Sequence, residues 1–148
     1  MNRRNEKDRG MHAVARVREV RERDSRVGLL QALTNVRTRE EQLTELQTAL
    51  DSAAVRDADT LDAFVVSRHL LAAMAVAVRE ADQRLDASRT VAVEAHHRWQ
   101  ADKARVRAIE HLLEERALRR AEEADRAEVR ETDDIVGRLH ARNHGVAS

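Results

Sequence analysis

The chain has 148 residues, 42% apolar and 36% charged, with 27 basic groups balancing 27 acidic ones. Phe64 and Trp99 are its only aromatics, and it has no Pro, Cys or Tyr and four Gly. These numbers exclude a sheet-rich fold, which consumes Gly, Pro and Asn in its turns. They also exclude a disulfide framework or thiolate metal site, and nucleic acid as the main ligand, which asks for basic excess and stacking aromatics.

The apolar quota is mostly 25 Ala and 16 Val. Ala buries little area, so long, thin helical packing is expected rather than a thick core. The neutral total hides a gradient. Residues 1–28 carry nine basic and five acidic groups, residues 29–102 eight and twelve, and the remainder balances. Arg outnumbers Lys 25 to 2, a compositional bias without functional content.

Met1–Gly10 is polar and basic. No apolar stretch follows it, so no secretory leader is expected, and residues 1–10 are expected to fray. From Met11 to about Ala54 the pattern predicts a first helix. Leu29, Val36, Leu43 and Leu50 recur every seven residues, with Val20 and Val27 at the same spacing earlier and Leu33 four beyond Leu29. That spacing is a coiled-coil seam, made imperfect by polar companions at Glu40 and Gln47.

Residues 52–60 (SAAVRDADT) lose the apolar period. A turn is expected at about 55–59, with Asp59 capping the next helix and Asp62 three residues on. The lack of Gly and Pro leaves one continuous helix as the alternative.

A second, longer helix is expected from about residue 60 to 141, with 143–148 frayed past it. Its seam runs Leu85, Ala92, Trp99, Val106 and Leu113, with Ala95 and Ile109 between. Near its start lies the longest uninterrupted apolar run, Leu70–Val78. Nine residues fall short of the ~20 that span a bilayer, so no integral membrane insertion is expected and a cytoplasmic protein is the default. The run is apolar on all sides, whereas a two-helix hairpin buries one stripe. Leu70, Met74 and Ala77 therefore mark either a contact site or a surface for self-association.

With the turn near residue 57, antiparallel pairing sets Leu29 level with Leu85 and Leu50 level with Phe64. The first helix would then run out opposite about residue 103. An overhang of ~55 Å of helix would keep Val106, Ile109, Leu112, Leu113, Leu118, Val129, Ile135, Val136 and Leu139 without a partner in the chain. Such a helix gains stability only when another chain covers it.

Chemistry is sparse. There is no phosphate-binding glycine loop, and the five serines lack a base constellation. His140 and His144, or His111 and Glu115, supply two ligands at helical spacing where a structural metal site needs three or four. The charged stretch from Glu110 to Glu131 reads as a solvated helix face held by local ion pairs. No catalytic, cofactor or metal residue is expected, and a two-helix fold lacks an enzyme's concavity.

The segment from Trp99 reads WQADKARVRAIEHLLEERALRRAEEADRAEVRETDDIVGRLHAR. It resembles the C-terminal half of the FliJ family, the stalk proteins of bacterial flagellar type III export. Val106, Ile109, Glu110, Leu113, Glu115 and Arg116 fill, with small shifts, that family's apolar–acidic core pattern. Thr132, Asp133, Asp134, Ile135 and Val136 fill its closing pattern. The opening VARVREVRERDSRVGLLQAL is similar to the family's first helix, so the resemblance covers about residues 11–142. The chain departs from the family in its Val- and Ala-rich composition and in a turn without Gly.

The resemblance implies an all-α, antiparallel coiled-coil hairpin that is not an enzyme and needs no cofactor. It implies a stalk whose end bearing the termini enters the ring of the export ATPase. The turn end would face the membrane-embedded export gate, at the cytoplasmic side of the inner membrane. It also implies assistance to export chaperones. The family's gate contact lies on a stripe matching Leu70, Met74, Ala77 and Ala81. For the ATPase no residue carries over. The apolar candidates there are Val14, Val17, Val106, Ile109 and Leu113. The rival readings are a self-associating structural coiled coil and the equivalent stalk of a virulence-type injectisome.

Overall fold

The computed structural model describes the backbone of residues 3–55 and 59–145, and the side chains of residues 9–55 and 59–142. The fold is all-α: helix α1 spans Arg3–Ala54 and helix α2 spans Leu61–Gly145. They pack antiparallel as a hairpin with the second helix longer. α1 starts eight residues upstream of Met11. Of the expected turn, residues 56–58 lie outside the described residues, as do 146–148 of the expected C-terminal fray.

The cap on α2 is Thr60 rather than Asp59. Thr60 Oγ1 accepts a 3.2 Å hydrogen bond from the Ala63 backbone N–H, and its carbonyl accepts from Phe64 N–H at 2.9 Å. A hydroxyl at this position satisfies an amide that the first helical turn leaves unpaired. Asp62 in the first turn places negative charge where the helix dipole favours it.

The chain forms two compact units, one of residues 17–104, the other of 1–16 with 105–148. Within the first, both helices bury a line with alternating steps of three and four. On α1 it runs Glu22, Ser25, Leu29, Ala32, Val36, Arg39, Leu43, Leu46, Leu50 and Ala53. On α2 it runs Ser67, Leu71, Met74, Val78, Ala81, Leu85, Ser88, Ala92, Ala95, Trp99 and Asp102. This is the a/d pattern of a coiled coil. Among the described residues the buried apolar ones are few, Leu29, Ala32, Ala81, Leu85 and Ala92, as two helices alone cannot enclose a core.

The seam of α1 differs from the expected one. Val20, Val27 and Leu33 are exposed. The companions of Leu29, Val36, Leu43 and Leu50 stand three residues on (Ala32, Arg39, Leu46, Ala53), not four. A spacing of seven defines several parallel lines on one helix, and only the step between them selects the buried pair. Ala32 and Arg39 did not stand out because one is small and the other is charged, though a long side chain of this kind can lay its aliphatic stem against a seam.

The register also differs. Trp99 Nε1 donates to Glu22 Oε1 at 2.8 Å, and Arg89 pairs with Glu40 at 3.1 Å. Pairing Leu29 with Leu85 would set Glu22 level with Ala92, about 10 Å of helix rise from Trp99. The midpoints of both observed pairs fall between residues 60 and 65, not at 57. The helices are thus slid by roughly one to two heptads. Leu61 and Phe64, both exposed, lie outside the seam, so Phe64 is not the seam partner of Leu50.

In the second unit, Met11 and Ala15 on α1 and Val106, Ile109 and Leu113 on α2 are half-buried in the same alternation. Every described residue from Arg116 to Arg142 is exposed. The overhang therefore starts near residue 116 rather than 105, because α1 begins earlier and the register is shifted. Along it the next seam positions, 116, 120 and 123, are Arg, Arg and Glu, so the a/d line itself ends there.

Candidate functional site

The stripe expected to meet the gate straddles the edge of the seam. Met74 and Ala81 lie seven apart on the seam line, while Leu70 and Ala77 lie seven apart beside it. Leu70 is 55% exposed and Ala81 only 7%; Met74 and Ala77 are half-buried. A partner can reach Leu70, and the edges of Met74 and Ala77, with the helices closed. Ala81 faces α1 and serves packing.

The exposed apolar surface is wider than that stripe. Leu61, Phe64, Val65, Val66, Leu70 and Val76 all reach solvent. The 18-residue stretch 61–78 has mean hydropathy 1.7, and no residue in it is more than half-buried. By length and composition alone it is a helix able to cross a membrane. Counting an uninterrupted run missed it, because Asp62, Arg68 and His69 interrupt the stretch without reversing its character. On α1, Arg37, Glu40, Glu41, Thr44 and Glu45 line a shallow polar surface groove.

The candidate ATPase contacts divide by burial. Val14 and Val17 are exposed. Val106, Ile109 and Leu113 are half-buried. Further along α2, Leu118, Val129, Ile135, Val136 and Leu139 are exposed. Ion pairs four residues apart hold this part of the helix surface, Arg119 to Glu115 at 3.6 Å and Arg126 to Glu122 at 3.6 Å. His111 Nε2 lies 3.5 Å from Glu115. Among the described residues no group of three or more His, Cys, Asp or Glu is placed to hold a metal ion.

One polar cluster within the seam has no counterpart in the sequence reading. Trp99 is half-buried and bonded to Glu22. Lys103 Nζ stands 4.5 Å from the centre of its ring, within cation–π range, and the His96 ring lies 6.0 Å away. Asp102, beside it, is a buried carboxylate with a partner of its own. The only local signal was Glu22, seven residues before Leu29.

This geometry offers apolar strips and polar seam layers on two paired helices, which suits protein contact rather than catalysis. The chain matches the family model described as Flagellar FliJ protein over residues 8–145. The chain belongs to the FliJ family. FliJ proteins are non-enzymatic components of flagellar type III export, and the two-helix fold with its coiled-coil seam fits that role. No curated protein and no solved structure matches the chain.

Proposed function

We propose that this FliJ-family chain is the stalk between the flagellar export ATPase and the export gate, working at the cytoplasmic face of the inner membrane and assisting export chaperones. The observation that carries this reading is the exposure of Leu70 and its apolar neighbours at the start of α2, in a chain of this family. Exposed apolar surface of this extent on a helix is costly unless a partner covers it. Leu70, Met74 and Ala77 are the gate-facing side chains, with Ala81 holding the helix beneath them.

The ATPase end is assigned to Val14, Val17, Val106, Ile109 and Leu113. A single asymmetric helix pair inside a sixfold ring meets the ring's subunits unequally. It therefore biases their interfaces and favours ring assembly. The test mixes the purified chain with the export ATPase and follows hydrolysis and hexamer formation. Stimulation with ring formation is expected. Absence of both binding and stimulation would refute the reading.

A further inference from the structure

The outer side of α2 carries a second line with alternating steps of three and four: Asp62, Val65, His69, Ala72, Val76 and Arg79. All six are exposed. At ~100° per residue this line lies nearly opposite the seam and about a third of a turn from Leu70. α1 covers the other side of the helix, so nothing in the hairpin is placed to bury it.

We propose that this line pairs with the same line of a second copy of the chain, antiparallel about a two-fold axis. Read against its own reverse, the sequence is complementary at every level. Asp62 meets Arg79 of the second copy, Val65 meets Val76, and His69 meets Ala72; the two-fold repeats each pairing. Among the described residues neither Asp62 nor Arg79 makes an ion pair within its own chain. The His69 ring is held close to the helix by a 2.9 Å hydrogen bond between Nδ1 and the Val65 carbonyl. Opposite it, Ala72 leaves room for an imidazole. A parallel pairing would instead set Asp62 on Asp62, His69 on His69 and Arg79 on Arg79, so charge selects the antiparallel arrangement. An isologous contact of this kind closes at two copies.

The surface is about five helical turns per copy, at the small end of protein interfaces. Half-association is expected on the order of 10–100 μM. The pairing covers the apolar outer face of residues 62–79 while the chain is free of other partners. It uses a line distinct from the gate stripe, so its failure would leave the proposed function standing.

The test is a charge swap read by sedimentation. The unaltered chain should dimerise, Asp62→Arg and Arg79→Asp should each be monomeric, and the double variant should dimerise again. Because the chain has no Cys, engineered thiols add an independent measurement. Val65→Cys with Val76→Cys in one chain should cross-link two copies on oxidation, whereas Val65→Cys alone should not, its two copies standing roughly 16 Å apart along the axis. Circular dichroism checks that each variant keeps its helix. A chain monomeric to several hundred micromolar would overturn the proposal. So would dimers that ignore both charge reversals, or a double variant that stays monomeric.

Discussion

The indole of Trp99 donates a 2.8 Å hydrogen bond to the carboxylate of Glu22, 77 residues away in sequence. It sits among polar seam residues, with Ser25 on one helix and Asp102 on the other. Apolar layers of Leu, Val and Ala slide over one another at little cost. A polar layer does not, because misalignment leaves a half-buried donor without an acceptor. Glu22 and Trp99 thereby specify the register of the hairpin.

Glu22→Ala should destabilise the hairpin by about 1–3 kcal/mol, the net worth of a hydrogen bond to a charged acceptor. Trp99→Phe removes the donor together with the demand for a partner, and should cost less. Urea unfolding followed by circular dichroism measures both. The chain has one Trp and no Tyr, so the emission of Trp99 reports this layer alone. It should shift to the red in Glu22→Ala as water replaces the carboxylate.

A second prediction separates the true seam from the apparent one. Leu85 is 2% exposed, and Leu85→Ala should cost about 2–4 kcal/mol. Leu33→Ala and Val27→Ala should each cost under about 1 kcal/mol, since both side chains are already in water and Ala favours helix. Equal losses at Leu85 and Leu33 would contradict the three-then-four spacing.

Helical class and pairing were legible because Leu29, Val36, Leu43 and Leu50 repeat at seven and almost nothing in the chain breaks a helix. The buried companions were harder to read, since Ala32 and Arg39 do not announce burial by hydrophobicity. Register was harder still. It shows in contacts between residues far apart in sequence, Trp99 with Glu22 and Arg89 with Glu40, and no local period encodes those. Of the proposed gate stripe, Leu70 was readable as a surface residue. Ala81 was not readable as a core residue until the seam was fixed, because Leu70 and Ala81, eleven residues apart, differ by only a fraction of a turn around the helix.

The cross-helix pair Arg89–Glu40 should matter little. Both side chains are about half exposed, and exposed ion pairs contribute roughly 0–1 kcal/mol. A double-mutant cycle with Arg89→Ala and Glu40→Ala should return a coupling in that range, falling further as salt is added.

The start of α2 gives a fourth stability test. Thr60→Ala removes the hydroxyl that accepts the Ala63 amide and should cost about 0.5–2 kcal/mol. Asp59→Ala should cost less, since the cap is not its own. Thr60→Asn or Thr60→Asp should restore most of the loss, because either side chain can accept the same amide. Thermal unfolding of the four variants ranks them directly.

The gate stripe can be tested without confusing binding with folding, because its members differ in burial. Leu70→Asp places a charge where the side chain is already solvated. It should leave helicity and unfolding midpoint near those of the unaltered chain while abolishing gate binding and motility. Ala81→Asp buries a carboxylate between the two helices, at a site 7% exposed. It should lower stability by several kcal/mol, since a buried charge without a partner is strongly unfavourable, and gate binding would fall only as a consequence of unfolding. Ala81→Leu is the intermediate case, overpacking the seam by about 1–3 kcal/mol without adding charge. A gate-binding assay on folded Leu70→Asp protein therefore decides the assignment: undiminished binding would show that the partner grips some other face of α2.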